Sequence, residues 1–314
     1  MFWNLFFVFF FFVYVVSQDT YDTQNNTLPV VLWHGLGDSY DSQGMREIVD
    51  ILSNLLNTYV HSIYLDKHSL NDKNSGFFGN VNDQVAFVSQ QLSSIDELKY
   101  GFNAIGFSQG GLFLRAYIER YNRPKVVNFI TFGTPHNGIS DFYCPPGVII
   151  CKAANYFVKH GLWSQWVRDN IVPIQYYRDL ENMDDYSKHN SFLNDINNEK
   201  EVKNGTYARN MASLKKFVMV EFSNDLLIIP KGSCSFNSYN KSADEIIYLR
   251  NTMMYLDDWI GLKQLDEKNA LVQMTIPGGH MEIDYSVFVY IIKKYFIGSN
   301  ESENTVQWQS DDTY

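Results

Sequence analysis

The chain has 314 residues, 45% of them hydrophobic and 16% aromatic, and carries a formal net charge of -10. That apolar content suits one large domain or two small ones and excludes a disordered chain. The acidic balance argues against a general nucleic-acid binder, which needs clustered Lys and Arg.

The amino-terminal stretch "MFWNLFFVFFFFVYVVSQDT" is apolar from Leu5 to Val16 and then abruptly polar. It reads as a secretory signal over residues 1–17, with Ser17 at the cleavage edge; a signal anchor is the competing reading. Entry into the secretory pathway agrees with N-x-S/T acceptors at Asn25, Asn204, Asn240 and Asn300. Of the three cysteines, Cys144 and Cys151 bracket "PPGVII", a short loop that a disulfide would close in an oxidising compartment. Cys234 is left as a thiol, and no cysteine or histidine spacing suits zinc.

After the leader, "LPVVLW" (28–33) has the continuous apolar character of a strand buried on both faces. Residues 44–58 place Met45, Ile48, Val49, Ile51, Leu52, Leu55 and Leu56 on one helical stripe. "HSIYLD" predicts a second strand, and "NVNDQVAFVSQQLSSI" repeats the helical spacing. Next come a strand, "FNAIGF", a helix from Gln109 to Tyr121 and another strand, "VVNFITFG". This alternation predicts an α/β fold with a mainly parallel central sheet and helices on both faces. The rhythm stops between about Ile139 and Leu214, a Tyr- and Asn-rich stretch that reads as a mostly helical insertion within a single catalytic domain spanning 18–314. "FVMVEF" (217–222) and "ALVQMTI" (270–276) restore buried strands, "EIDYSVFVYIIKKYF" predicts a closing helix, and the tail after Gly298 is polar.

The chemistry is concentrated in Gly106-Phe107-Ser108-Gln109-Gly110. A serine between glycines, after a strand and before a helix, fits a nucleophile elbow; the bland alternative is a tight turn. A serine hydroxyl needs a base, and there are seven histidines. His280 follows an apolar strand in "TIPGGHMEID", where open parallel sheets keep their ligands. His34 and His136 also follow strands, but both break the Ser, acid, His order and read as loop scaffolding through ring N–H bonds. His61 starts a strand, and His68, His160 and His189 lie in polar contexts. Asp225 in "FVMVEFSNDLLIIP" stands past a strand between Ser108 and His280 and could fix the imidazole tautomer. Asp257, Asp258 and Asp266 are alternatives in helical or turn-like sequence. Backbone N–H groups of Gln109 and, in "HGLGD", of Leu36 would serve a developing oxyanion. Such a set performs acyl transfer through a covalent acyl-serine; it does not by itself choose between a thioester, a lipase substrate and another carboxylic ester.

The segments "VLWHGLGDS", "GFSQGGLFLRAYIERY", "FGTPHNGI", "DINNEKEVKNGTYARNMASLKKFVMVEFSND" and "GLKQLDE" together resemble the palmitoyl-protein thioesterase family, in its lysosomal type 1 branch. The resemblance runs from about Leu28 to Phe296. It implies an α/β-hydrolase fold with a helical insertion, and removal of long-chain fatty acyl groups from cysteine thioesters. It also implies Ser108 as nucleophile, Asp225 as triad acid, His280 as base and the backbones of Leu36 and Gln109 as oxyanion donors. The implied partners are S-acylated proteins or peptides and fatty acyl thioesters, with no cofactor, metal or nucleic acid. Peripheral membrane contact, oligomeric state and the choice between lysosome and secretion stay open. The chain departs from the family in having Tyr40 after "GDS" where cysteine is usual, and Gly279 before His280 where the base commonly sits in "GDH". Leu227 and Ile228, in the apolar loop after the acid, are candidates to line an acyl groove, with ordinary core packing as the alternative.

Overall fold

Six parallel strands form the central sheet: β1 (Val30–Trp33), β2 (Val60–Ser62), β3 (Phe102–Phe107), β4 (Val126–Phe132), β5 (Lys216–Phe222) and β8 (Leu271–Ile276), in the order β2-β1-β3-β4-β5-β8. The computed structural model describes residues 27–141, 162–239 and 245–298. The leader 1–17, Cys144, Cys151, Asn25, Asn240 and Asn300 lie outside them.

Successive side chains of the inner strands alternate between two cores, as a pleat of period two requires. Val31, Trp33, Phe102, Ala104, Phe129, Phe217 and Met219 enter one core. Val30, Leu32, Ile105, Phe107, Ile130, Phe132, Val218, Val220 and Phe222 enter the other. Helices α3 (Val81–Ser93) and α4 (Gln109–Arg120) cover the first face, the former through Val81, Val85, Val88 and Leu92. Helices α1 (Gln43–Leu56) and α12 (Tyr285–Ile292) cover the second, through Met45, Leu52 and Leu56 and through Val287, Phe288, Ile291 and Ile292. Helix α1 begins where Ser42 accepts from the Met45 N–H, and it ends at Asn57, whose left-handed φ of 46° stops the propagation.

Two expectations need adjusting. The strand read as buried over 270–276 is the sheet edge, where only Ile276 of β8 is buried, because among the described residues no strand pairs with its outer side. The closing helix starts at Tyr285, capped by Asp284, and is continued by a wider π-type turn over Lys293–Ile297. Two pieces carry no periodic signal: the polar α2 (Ser69–Ser75), and a small hairpin of β6 (Ser238–Tyr239) with β7 (Ile246–Ile247).

The described part of the insertion, 162–214, holds the short helices α5 (Gln165–Asn170), α6 (Val172–Gln175), α7 (Met183–His189), α8 (Leu193–Ile196) and α9 (Gly205–Met211). Two further short helices, α10 (Met253–Leu256) and α11 (Leu262–Glu267), precede β8. The insertion is fastened to α4 by Arg115, which is fully buried. Its guanidinium donates to the carbonyls of Ile196 (3.1 Å) and His136 (2.8 Å) and to Asn197 Oδ1 (2.8 Å), and pairs with Glu119 at 3.0 Å. These partners offset much of the cost of burying the charge, although Arg115 Nε itself makes no hydrogen bond among the described residues. Sheet order, parallel pairing and helices on both faces are those of an α/β hydrolase.

Candidate active site

Ser108 sits between β3 and α4 with φ 51° and ψ -126°, a conformation unusual for a residue with a side chain. Three hydrogen bonds pin it: its N–H donates to Phe132 O (2.8 Å), and its carbonyl accepts from Gly111 N–H (3.1 Å) and from Thr134 Oγ1 (2.8 Å). The turn also depends on close backbone approach, since a methyl group at Gly106 would overlap the Gly111 backbone. The strained turn therefore holds the hydroxyl above the carboxyl ends of the strands, as expected of a nucleophile elbow.

His280 and Asp225 come to the same rim from the ends of β8 and β5. The loops that carry them are tied together, with Ser223 N–H donating to Ile276 O (2.9 Å) and Asn224 N–H to Gly278 O (3.0 Å). His280 Nε2 lies 3.0 Å from Ser108 Oγ, and His280 Nδ1 lies 2.7 Å from Asp225 Oδ2. The other carboxylate oxygen, Oδ1, accepts from the N–H groups of Leu227 (2.8 Å) and Ile228 (3.0 Å). Burial pushes the Asp225 carboxyl up, but the His280 ring and these two N–H groups outweigh it and hold it below the usual carboxylate range. A carboxylate fixed on Nδ1–H leaves Nε2 as the basic nitrogen facing the serine hydroxyl, which is the arrangement for general-base activation.

Leu36 lies in the loop after β1, and Gln109 is the first residue of α4, so its N–H has no intrahelical acceptor. The loop presses on the elbow: a methyl group at Gly35 would come within 3.1 Å of Ser108 Cβ and 3.3 Å of Phe107 O. The Gln109 side chain is held from two sides, its Nε2 donating to Gly76 O (3.3 Å) and its Oε1 accepting from the Tyr176 hydroxyl (3.1 Å).

The other candidates fall elsewhere. His136 is buried, with Nε2 3.0 Å from Thr131 Oγ1 and its ring stacked on Phe236, so it is scaffolding. His34 is 2% exposed and lies against Asp72 and the Gly35 carbonyl, away from Ser108 Oγ's partner His280. His61 meets Gln91 at 3.0 Å. Asp266 accepts from Arg250 and Tyr255, and Asp258 from Lys263 N–H and Gln264, so neither serves His280. Asn204 is exposed at the start of α9, where its side chain accepts from Thr206 N–H. In the acid loop Leu227 is 42% exposed beside the more exposed Leu226, whereas Ile228 is 5% exposed and packs in the first core. Thr134, Tyr176 and Asp72 support the site without any local pattern to announce them. Among the described residues no helix is long and apolar enough to cross a membrane.

A family model described as palmitoyl protein thioesterase matches residues 29–280. The chain is 37% identical over 275 residues to palmitoyl-protein thioesterase 1 of Caenorhabditis elegans, covering 86% of this chain and 92% of that protein. It is 32% identical over 258 residues to palmitoyl-protein thioesterase 3 of Dictyostelium discoideum, covering 82% and 86% of the two chains. With the lysosomal thioesterase PPT2 homolog of Drosophila melanogaster the identity is 29% over 261 residues, covering 80% and 85%.

Proposed function

This chain belongs to the palmitoyl protein thioesterase family, and from that premise we propose that it removes long-chain fatty acyl groups from cysteine thioesters of proteins or peptides by way of an acyl-serine on Ser108. The observation that carries the reading is the unbroken hydrogen-bonded run from Ser108 through His280 to Asp225. His280 Nε2 takes the hydroxyl proton as Oγ attacks the thioester carbonyl carbon. The N–H groups of Leu36 and Gln109 receive the oxyanion of the tetrahedral intermediate, each donor contributing on the order of a hundredfold in rate. Collapse breaks the carbon–sulfur bond, and the cysteine sulfur leaves with the proton held by His280. Water then attacks the acyl-serine with His280 again as base, and the fatty acid departs as Ser108 recovers its proton.

The leaving group suits this machinery. A cysteine thiol has a pKa of about 8.5, so it needs less protonation in the transition state than an alkoxide or amine. Leu227, with Leu226 beside it, offers an apolar wall next to the acid, and each methylene removed from water adds roughly 0.8 kcal/mol to binding. Ile228 supports that wall from the core side. The apolar leader, the acceptor triplets and the close spacing of Cys144 and Cys151 in the sequence support a route through the secretory pathway to the lysosome or the outside of the cell. The deciding assay compares turnover of a long-chain acyl thioester with that of its oxoester, on purified protein at acidic and neutral pH. Preference for the thioester is expected; preference for the oxoester would make the chain a carboxylic-ester hydrolase of lipase type.

A further inference from the structure

A second histidine–aspartate pair lies under the loop that carries Leu36. His34 follows β1 and is 2% exposed, while Asp72, from α2, is fully buried. His34 Nε2 lies 3.0 Å from Asp72 Oδ2, a contact that is an ion pair when the ring is protonated. His34 Nδ1 lies 3.0 Å from Gly35 O. Both ring nitrogens therefore face oxygens that can only accept. A neutral imidazole would set a lone pair against one of them, so the ring that fits is the imidazolium.

Asp72 grips the other side of the loop as well. Its Oδ2 accepts from Tyr40 N–H at 2.8 Å, and its Oδ1 from Leu65 N–H at 2.6 Å. Leu36 thus lies in a short span whose two ends, His34 and Tyr40, are fastened to one buried carboxylate. Gly35, next to His34 in that span, is the part pressed against Ser108 Cβ and Phe107 O.

We propose that His34 and Asp72 are positioning residues for the acyl-transfer step, holding the Leu36 N–H on the developing oxyanion, and that the hold requires His34 to be charged. This rests on the reading of the Leu36 backbone as an oxyanion donor. The charged groups that face His34 are Asp72 from α2 and Asp38 from its own loop. Around Asp72, the Asp66 N–H approaches Oδ1 at 3.4 Å, and Asp41, Asp66 and Tyr64 bear on Tyr40. Where α4 meets the loop, the approach is through the Gly110 backbone against the His34 and Trp33 carbonyls.

Burial opposes charge on the His34 ring, but Asp72, the Gly35 carbonyl and Asp38 prevail and raise its pKa above the ordinary imidazole value. The contribution of such a group is complete below its ordinary value and is lost as pH rises through the raised one. Activity is then bounded on the alkaline side by the loss of the His34 proton.

The test is the pH profile of kcat and KM for a water-soluble acyl thioester, with thermal melts and end-point phosphonate labelling of Ser108 as controls. Asp72→Asn and His34→Gln are expected to lower kcat about tenfold or more, leave KM little changed, keep Ser108 labelled and flatten the alkaline limb. The double variant His34→Gln/Asp72→Asn, whose two amides can pair, is expected to lose no more than the worse single, as for residues that act as a unit. Asp38→Asn removes the second charge that faces His34 while keeping an Oδ1 that can accept from Ser39 N–H, and is expected to move the alkaline limb to lower pH. Single variants that keep the wild-type kcat and alkaline limb would overturn the proposal. Should those variants fail to fold, an alkaline limb unmoved by Asp38→Asn would do the same. Wild-type protein in which Ser108 is not labelled would instead bring down the acyl-serine reading.

Discussion

Among the described residues, two histidine–aspartate pairs stand at the ends of the parallel strands, wired in opposite directions. At His280 the carboxylate meets Nδ1, and Nε2 faces a hydroxyl. At His34 the carboxylate meets Nε2, and Nδ1 faces a carbonyl. A hydroxyl has a proton to give, so the first ring can act as a base. A carbonyl has none, so the second ring can only donate, and it serves as a fixture. Both aspartates are buried and both accept from backbone N–H groups. What separates a proton acceptor from a clamp is therefore the third partner.

Substitutions can break this contrast in order of severity. Ser108→Ala and His280→Ala should each lower acyl-enzyme formation by roughly 10⁴-fold or more, as removal of a triad member does elsewhere, while a thermal melt stays close to wild type. Near-normal turnover in either variant would remove the distinction between the two pairs. Asp225→Asn should cost somewhat less, on the order of 10³ to 10⁴-fold in kcat, because the amide no longer fixes the ring tautomer. If Asp72→Asn matched that loss, the pairs would not differ in kind.

Gly35→Ala sharpens the contrast at the point where the clamp loop meets the nucleophile. The added methyl group must displace either the loop or Ser108 by a few tenths of an ångström, and a fall in kcat of about ten- to a hundredfold follows from that misplacement. A kcat equal to wild type would mean that the loop position is not critical. The smallest effect concerns stability. Because the Asp225 carboxyl is held low, its contribution is present above the ordinary carboxylate value and is lost as pH falls through the depressed one. The melting difference between wild type and Asp225→Asn should therefore narrow toward acid pH; a constant difference would place the Asp225 effect outside its ionisation.

The sheet was legible because its inner strands are apolar on both faces and its helices carry regular stripes, so "LPVVLW", "FNAIGF" and the stripe from Met45 to Leu56 stand close to β1, β3 and α1. Ser108, Asp225 and His280, whose side chains meet at one rim, could be picked out because each follows a strand and their chain order is constrained. Asp72 was not legible. It lies in "SLNDKNS", a polar helix without an apolar stripe, and only its distant contacts with His34, Tyr40 and Leu65 show that it is buried. Tyr176 is similar, since its hydroxyl contact with Gln109 joins residues 67 positions apart. Solvent-facing and interior asparagines and aspartates look alike in a sequence; long-range pairing separates them.

Arg115 has a consequence for anyone who would transplant parts of this molecule. Its guanidinium is shared between the helix that begins at the nucleophile and the far end of the insertion, at Ile196 and Asn197. A chimera that exchanges the insertion for a relative's must bring equivalent acceptors with it, or leave a cation stranded about two turns along the same helix from the reacting serine. Swaps that ignore this fastening should fail at the graft, whatever cap they deliver.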